Sequence, residues 1–171
     1  MGVTTRGGVG VVIGLLVVFL ATDAQAQQFL STGRDTLREL PGVEVIVEPL
    51  PAELEQSGFT ASALRTNVEA QLRAGGITIY ASQTENPSPA KAYLYVHLNG
   101  LTSPGQGYAL SAQVHLRQTL RSLVTGSAIV NAMSWDQHVL VVLPRGLAIQ
   151  SIGGEVRSLV DRFVQDWRAV H

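Results

Sequence analysis

The sequence predicts an α+β fold: a two-layer sandwich, order β-α-β-β-β-β-α, with a mixed sheet carrying two helices on one face. Three observations carry this. Several segments alternate apolar and polar residues with the period of a strand, above all "AYLYVHLNGL" and "YALSAQVHLRQTL". Two others, near 60–75 and 148–170, repeat apolar residues at helical spacing. Clusters of Gly, Pro and Ser separate them.

Residues 1–26 are expected to be a cleaved signal peptide rather than part of the fold. Val9–Leu20 is an apolar run of about a dozen residues, the length of a secretory core and short for a membrane span. Ala24-Gln25-Ala26 supplies a small-x-small cleavage pattern. A retained anchor is the competing reading, but no basic stop-transfer cluster follows, so no integral span is expected after cleavage. Residues 27–171 then form a single α+β domain, exported and either periplasmic or secreted.

The elements follow in order. "TLREL" reads as a short helix ended by Pro41-Gly42, and "VEVIVE" as a half-buried strand with Val43, Val45 and Val47 on one face. "PLPAELEQSG" reads as a loop. Thr60 is the expected N-cap of a helix with Leu64, Val68 and Leu72 along one stripe and Gly75 as its C-cap. "ITIYA" makes the second strand, with Ile77 and Ile79 inward, and "SQTENPSP" a polar linker.

In the third strand Leu94, Val96 and Leu98 point in, while Tyr93, Tyr95, His97 and Asn99 point out. After a turn centred near Pro104 the fourth strand points Leu110, Ala112, Val114, Leu116 and Leu120 in, and Ser111, Gln113, His115, Arg117 and Thr119 out. "IVNAMSW" lacks clean alternation and reads as an irregular edge strand. "QHVLVVLPRG" either extends it or crosses the sheet end. Ile152, Val156, Leu159, Val160, Phe163 and Trp167 define the last helix. A strand-helix-strand crossover makes the first two strands parallel, and hairpins make the later ones antiparallel.

Composition excludes several function classes. Lys and Arg total 12 against 13 Asp and Glu, for a net charge of −1. That balance gives no electrostatic case for nucleic acid or for anionic membrane surfaces. The chain has no cysteine, hence no disulfide and no lipid-modified cysteine. No cofactor is expected.

The succession "LPGVEVIVEPL", "GFTASALRTNVEAQLRAGGITIYAS", "YLYVHLNGL", "YALSAQVHLRQ" and "VRSLVDRFVQDW" resembles an uncharacterised family of small exported bacterial proteins. More distantly, the order of elements is similar to small α/β domains of bacterial envelope assemblies: the N-terminal domain of TolB, the curli secretion protein CsgG and the lipopolysaccharide transport lipoprotein LptE. The resemblance implies a fold and partner binding in the envelope, and transfers no catalytic residue. The sequence departs from the lipoprotein members in lacking their cysteine.

Among site candidates, His97 and His115 lie in repeated Val-His-Leu tripeptides. Pairing about a turn near Pro104 places His97 near 109–111, so that His115 stands roughly 14–20 Å along the partner strand. Two ligands of one metal must both lie about 2.0–2.1 Å from it, so no shared metal is expected and the two histidines read as solvent-facing. Ser134, Asp136 and His138 in "SWDQH" are not expected to form a triad, since adjacency in sequence is no evidence of convergence in space and no G-x-S-x-G elbow precedes them. No catalytic residue is assigned. "SIGGEV" is a weak anion-site candidate at a helix start.

The outward sheet face is the main candidate. Tyr80, Tyr93, Tyr95, His97, His115 and Arg117 would form one aromatic and basic surface, and Tyr and Arg are enriched in binding hot spots. Tyrosine is also a good strand former, so the same pattern serves sheet stability alone. The expected function is a non-catalytic exported protein that binds an envelope or extracellular component through this face or an edge strand. The alternatives are an exported hydrolase drawing on Ser134, Asp136, His138, His115 and Glu69, and a carrier of a small apolar ligand. The partner and the oligomeric state are open.

Overall fold

Val43, Val45 and Leu94, Val96, Leu98 are buried to 2% exposure or less, as alternation requires of strands with one covered face. The computed structural model describes residues 33–103, 107–143 and 148–171. The expected signal peptide and the Pro104 turn lie outside the described residues. Residues 33–171 cluster as one unit.

The elements are β1 (Gly42–Val47), α1 (Ala52–Gln56), α2 (Ala61–Ala74), β2 (Thr78–Tyr80), β3 (Tyr93–Ser103), β4 (Gly107–Arg121), β5 (Ala128–Leu143) and α3 (Ala148–Arg168). The five strands form one sheet, order β2-β1-β3-β4-β5. β1 runs parallel to β2 and to β3, while β3-β4-β5 is an antiparallel meander. The fold is therefore α+β with a mixed sheet, as the alternation and helical stripes predict.

Thr60 caps α2, its hydroxyl accepting from the Ala63 amide at 3.2 Å. Gly75 is the C-cap, and Gly76 beyond it takes a left-handed φ of 89°. Leu64, Val68 and Leu72 of α2 share one buried cluster with Ile152, Val156, Val160 and Phe163 of α3 and the inward strand residues. Each such side chain contributes roughly 1.5–3 kcal/mol on burial. Both helices thus cover the same face. Trp135 of β5 meets Phe163 edge-on at 5.0 Å, and its indole Nε1–H donates to Asp166 at 2.9 Å. Arg34 joins the same carboxylate at 2.8 Å.

Gly42 is required by close approach. A Cβ there would stand 2.3 Å from the Thr78 carbonyl oxygen. The absence of a side chain lets β1 and β2 pair.

Three local expectations change, and one open alternative is decided. "PLPAELEQSG" contains α1, because Pro51 presets the φ of a helix start and Leu54, 3% exposed, anchors it to the core. "TLREL" is mostly turn: a helical turn at 33–35 precedes it, and Glu39 adopts a φ of 67°. "SQTENPSP" is folded around a fully buried Asn86, whose side chain donates to Ala92 O and accepts from the Ser88 amide. "QHVLVVL" extends β5.

β5 is an edge strand and is irregular, as its lack of alternation predicts. Its register against β4 shifts between Leu116 and Arg117, leaving Ser134 as an extra residue, and again between Gln118 and Leu120. Buried Gln118 holds the first bulge, donating to Ser134 Oγ at 2.8 Å and to Thr36 O at 3.2 Å.

Candidate functional site

Strand alternation and register build the second sheet face in rows. Tyr80, Glu44, Tyr93, Arg117 and Met133 form one row across all five strands. Ile46, Tyr95, His115 and Asp136 form the next. His97, Gln113 and His138 follow, then Asn99, Ser111 and Leu140. Tyr80, Tyr93, Tyr95, His97, His115 and Arg117 therefore share one face.

Tyr95 stacks on His115 with ring centroids 5.0 Å apart and 21° between planes. The Arg117 guanidinium lies 5.6 Å from the Tyr95 centroid, and Arg117 Nε donates to His115 Nε2 at 3.1 Å. Tyr93 meets Tyr95 edge-on at 6.4 Å. Beside this stack, His97 pairs through Nδ1 with the Glu48 carboxylate and through Nε2 with Asn99.

The hairpin register corrects the expected separation of the histidines. His97 pairs with Gln113, and Tyr95 with His115. The two histidines are diagonal neighbours, about 7–8 Å apart rather than 14–20 Å. Ser103 pairs with Gly107, so the register differs by two residues from the one expected, which brings His97 opposite Gln113. Among the described residues no three His, Asp or Glu side chains are grouped to hold a metal ion.

The solvent-facing reading fails for His115, which is 5% exposed. Tyr93 is also buried. Burial lowers the His115 pKa below the usual histidine value; Arg117 and His97 lower it further, and Asp136 opposes them. Glu44 is raised by burial, against the lowering pull of Arg65.

Of the hydrolase candidates, Asp136, His138 and His115 share the outward face, while Ser134 and Glu69 do not. Ser134 Oγ takes its hydrogen bond from Gln118, which is no base. His138 Nδ1 stands 3.6 Å from Asp136 Oδ2, both well exposed. Glu69 is bound by Arg65 at 2.8 Å and Arg73 at 2.9 Å on α2, and these bring its pKa below the usual value although burial alone would raise it. A groove of about 760 Å³ between α2 and α3 is open-sided and mixes Phe59 and Leu64 with Asn67, Gln71, Arg157 and Asp161.

Met133, Leu140 and Val142 are 58%, 70% and 72% exposed and extend this face along β5. Sequence reasoning missed them. The signal was present as a two-residue spacing, Asp136, His138, Leu140, Val142, but the intervening Val139 and Val141 are apolar too and hid it.

No protein-family model matches the chain, and no curated protein matches it. A crystal structure of a minor lipoprotein from Acinetobacter baumannii is similar at 13% identity and a TM-score of 0.32, covering 77% of this chain and 92% of that one. A likeness of that size decides neither fold nor role. Among the described residues no helix is long and apolar enough to cross a membrane.

Proposed function

We propose that the chain is a non-catalytic, exported bacterial protein that binds a protein of the envelope or extracellular space through its open sheet face. The observation that carries this reading is the Tyr95–His115–Arg117 stack on a face that no described helix covers. A preformed stack spares a partner the entropy of ordering these side chains. Tyr95 and Arg117 are of the types enriched in hot spots, and the exposed Leu140 and Val142 add apolar area alongside. Export rests on the apolar run Val9–Leu20 and the Ala24-Gln25-Ala26 pattern.

Site-specific photocrosslinking in intact cells tests the proposal. A crosslinker at exposed Asn99 or half-buried Gln113, both on this face and away from the β5 edge, should trap a discrete protein adduct that Arg117→Ala diminishes. The same probe at Ser158, exposed on α3, should not. Adducts at Ser158 alone, or at none of the three, would sink the assignment.

A further inference from the structure

We propose that the outer edge of β5 is the contact of a two-fold dimer, with Gln137 on the axis and Asp136 of each copy opposite His138 of the other. This contact lies on the sheet edge, and it stands or falls apart from the binding role of the tyrosine face.

Among the described residues β5, a strand of sixteen residues, pairs only with β4; at its bulge the Thr36 hydroxyl donates to the Ser134 carbonyl, and from Trp135 to Leu143 its other edge carries no strand. Free edges of such length are normally blunted by proline, lysine or inward-pointing charge. β5 contains no proline or lysine. Its bulge at Ser134 twists one end, but Trp135–Leu143 pairs with β4 without interruption and leaves a regular edge.

Two-fold pairing of one strand with its copy is necessarily antiparallel, and residue i meets a residue j with i + j constant. The two sheet faces stay matched only if i and j have the same parity, since neighbours point to opposite faces. Three registers then involve the charged centre of the strand. Centring on Asp136 sets two carboxylates face to face, and centring on His138 sets two imidazoles together. Centring on Gln137 alone places Asp136 opposite His138, and symmetry repeats the pair. Within one copy these side chains already lie on the same face, 3.6 Å apart. The dimer would alternate acid and imidazole around the axis.

In this register the pairing runs over Trp135–Val139 and stops short of Ser134, whose carbonyl takes the Thr36 hydroxyl, and the exposed Leu140 and Val142 of each copy lie just beyond the charged centre. On the helix side Gln137 is flanked by Arg162 and Asp161, so the charges near the axis are of mixed sign.

The test begins with sedimentation of the full chain as a bacterial host processes it, through the micromolar range. A concentration-dependent dimer is expected; a monomer throughout overturns the proposal, as it must if a foreign strand is the natural occupant. Because the chain has no cysteine, single cysteines at Asp136, Gln137, His138, Val139 and Leu140 report the register. Gln137→Cys should form an intermolecular disulfide most completely, because only that residue meets its own copy. A maximum at any other position overturns the assignment. Asp136→Lys should raise the dimer Kd by roughly tenfold, and Asp136→Lys with His138→Glu should restore it.

Discussion

Arg117 donates through Nε to Nε2 of His115 across 3.1 Å, which places the proton of the neutral imidazole on Nδ1. An arginine can only donate, so the accepting nitrogen must carry a lone pair. Protonating His115 would remove that acceptor and set a second cation against the guanidinium.

The pH dependence follows from this pair. Burial and Arg117 hold the folded pKa of His115 below its unfolded value near 6.5. The unfolded chain therefore takes up the proton first. The associated stability is fully present above about pH 6.5 and is lost as pH falls through the depressed folded pKa. Denaturation midpoints measured from pH 7.5 to 5.0 should fall, and His115→Phe should flatten the slope; equal slopes in the two proteins would refute the assignment.

Gly42→Ala should destabilise the fold by about 1–3 kcal/mol, since its Cβ would meet backbone as well as the Thr78 and Tyr80 side chains. Urea titration gives the magnitude. Faster hydrogen exchange confined to β1 and β2 would place the damage at their pairing, and unchanged exchange there would contradict it.

The sequence displayed most of this fold because its signals were local. The valines of β1, the stripe of α2 and the cap at Thr60 each act within a few residues. The centre of the β3–β4 turn was not local information, and a one-residue error there moved His97 from Gln113 to the neighbourhood of Ser111. The face of the candidate site was legible from alternation. The burial of His115 was not, because it depends on where Tyr95 and Arg117 place their side chains.

Asn86→Ala should cost about 1–3 kcal/mol, because it strips partners from the Ala92 carbonyl and the Ser88 amide around a fully buried side chain. Asn86→Asp keeps the acceptor to Ser88 but sets a buried carboxylate against the Ala92 carbonyl, and should melt no higher than Asn86→Ala at neutral pH. If both variants melt with the native protein, the loop is not held this way.

Phe163→Ala should lower stability by about 3–5 kcal/mol, the range for a fully buried aromatic ring. The ring lies between Trp135 and Trp167, at 5.0 and 6.0 Å. Tryptophan fluorescence should shift to the red in the same variant, and an unchanged spectrum would argue against the contact.

The parallel pairing of β1 with β3 also bears on the order of assembly. Glu44 must find Tyr93 across α1, α2 and β2, whereas the first β3–β4 pair, Ser103 with Gly107, is only four residues apart in sequence. Closing the longer loop costs more chain entropy, so the meander is expected to form before its N-terminal flank docks. Pulse-labelled exchange should protect β3–β4 amides ahead of β1, and simultaneous protection would rule this out. In that sequence Tyr93, Tyr95 and His115 meet early, while Tyr80 and Glu48 arrive only with the N-terminal flank. A full-length chain folding in this order would then display its aromatic stack before its acidic border is in place.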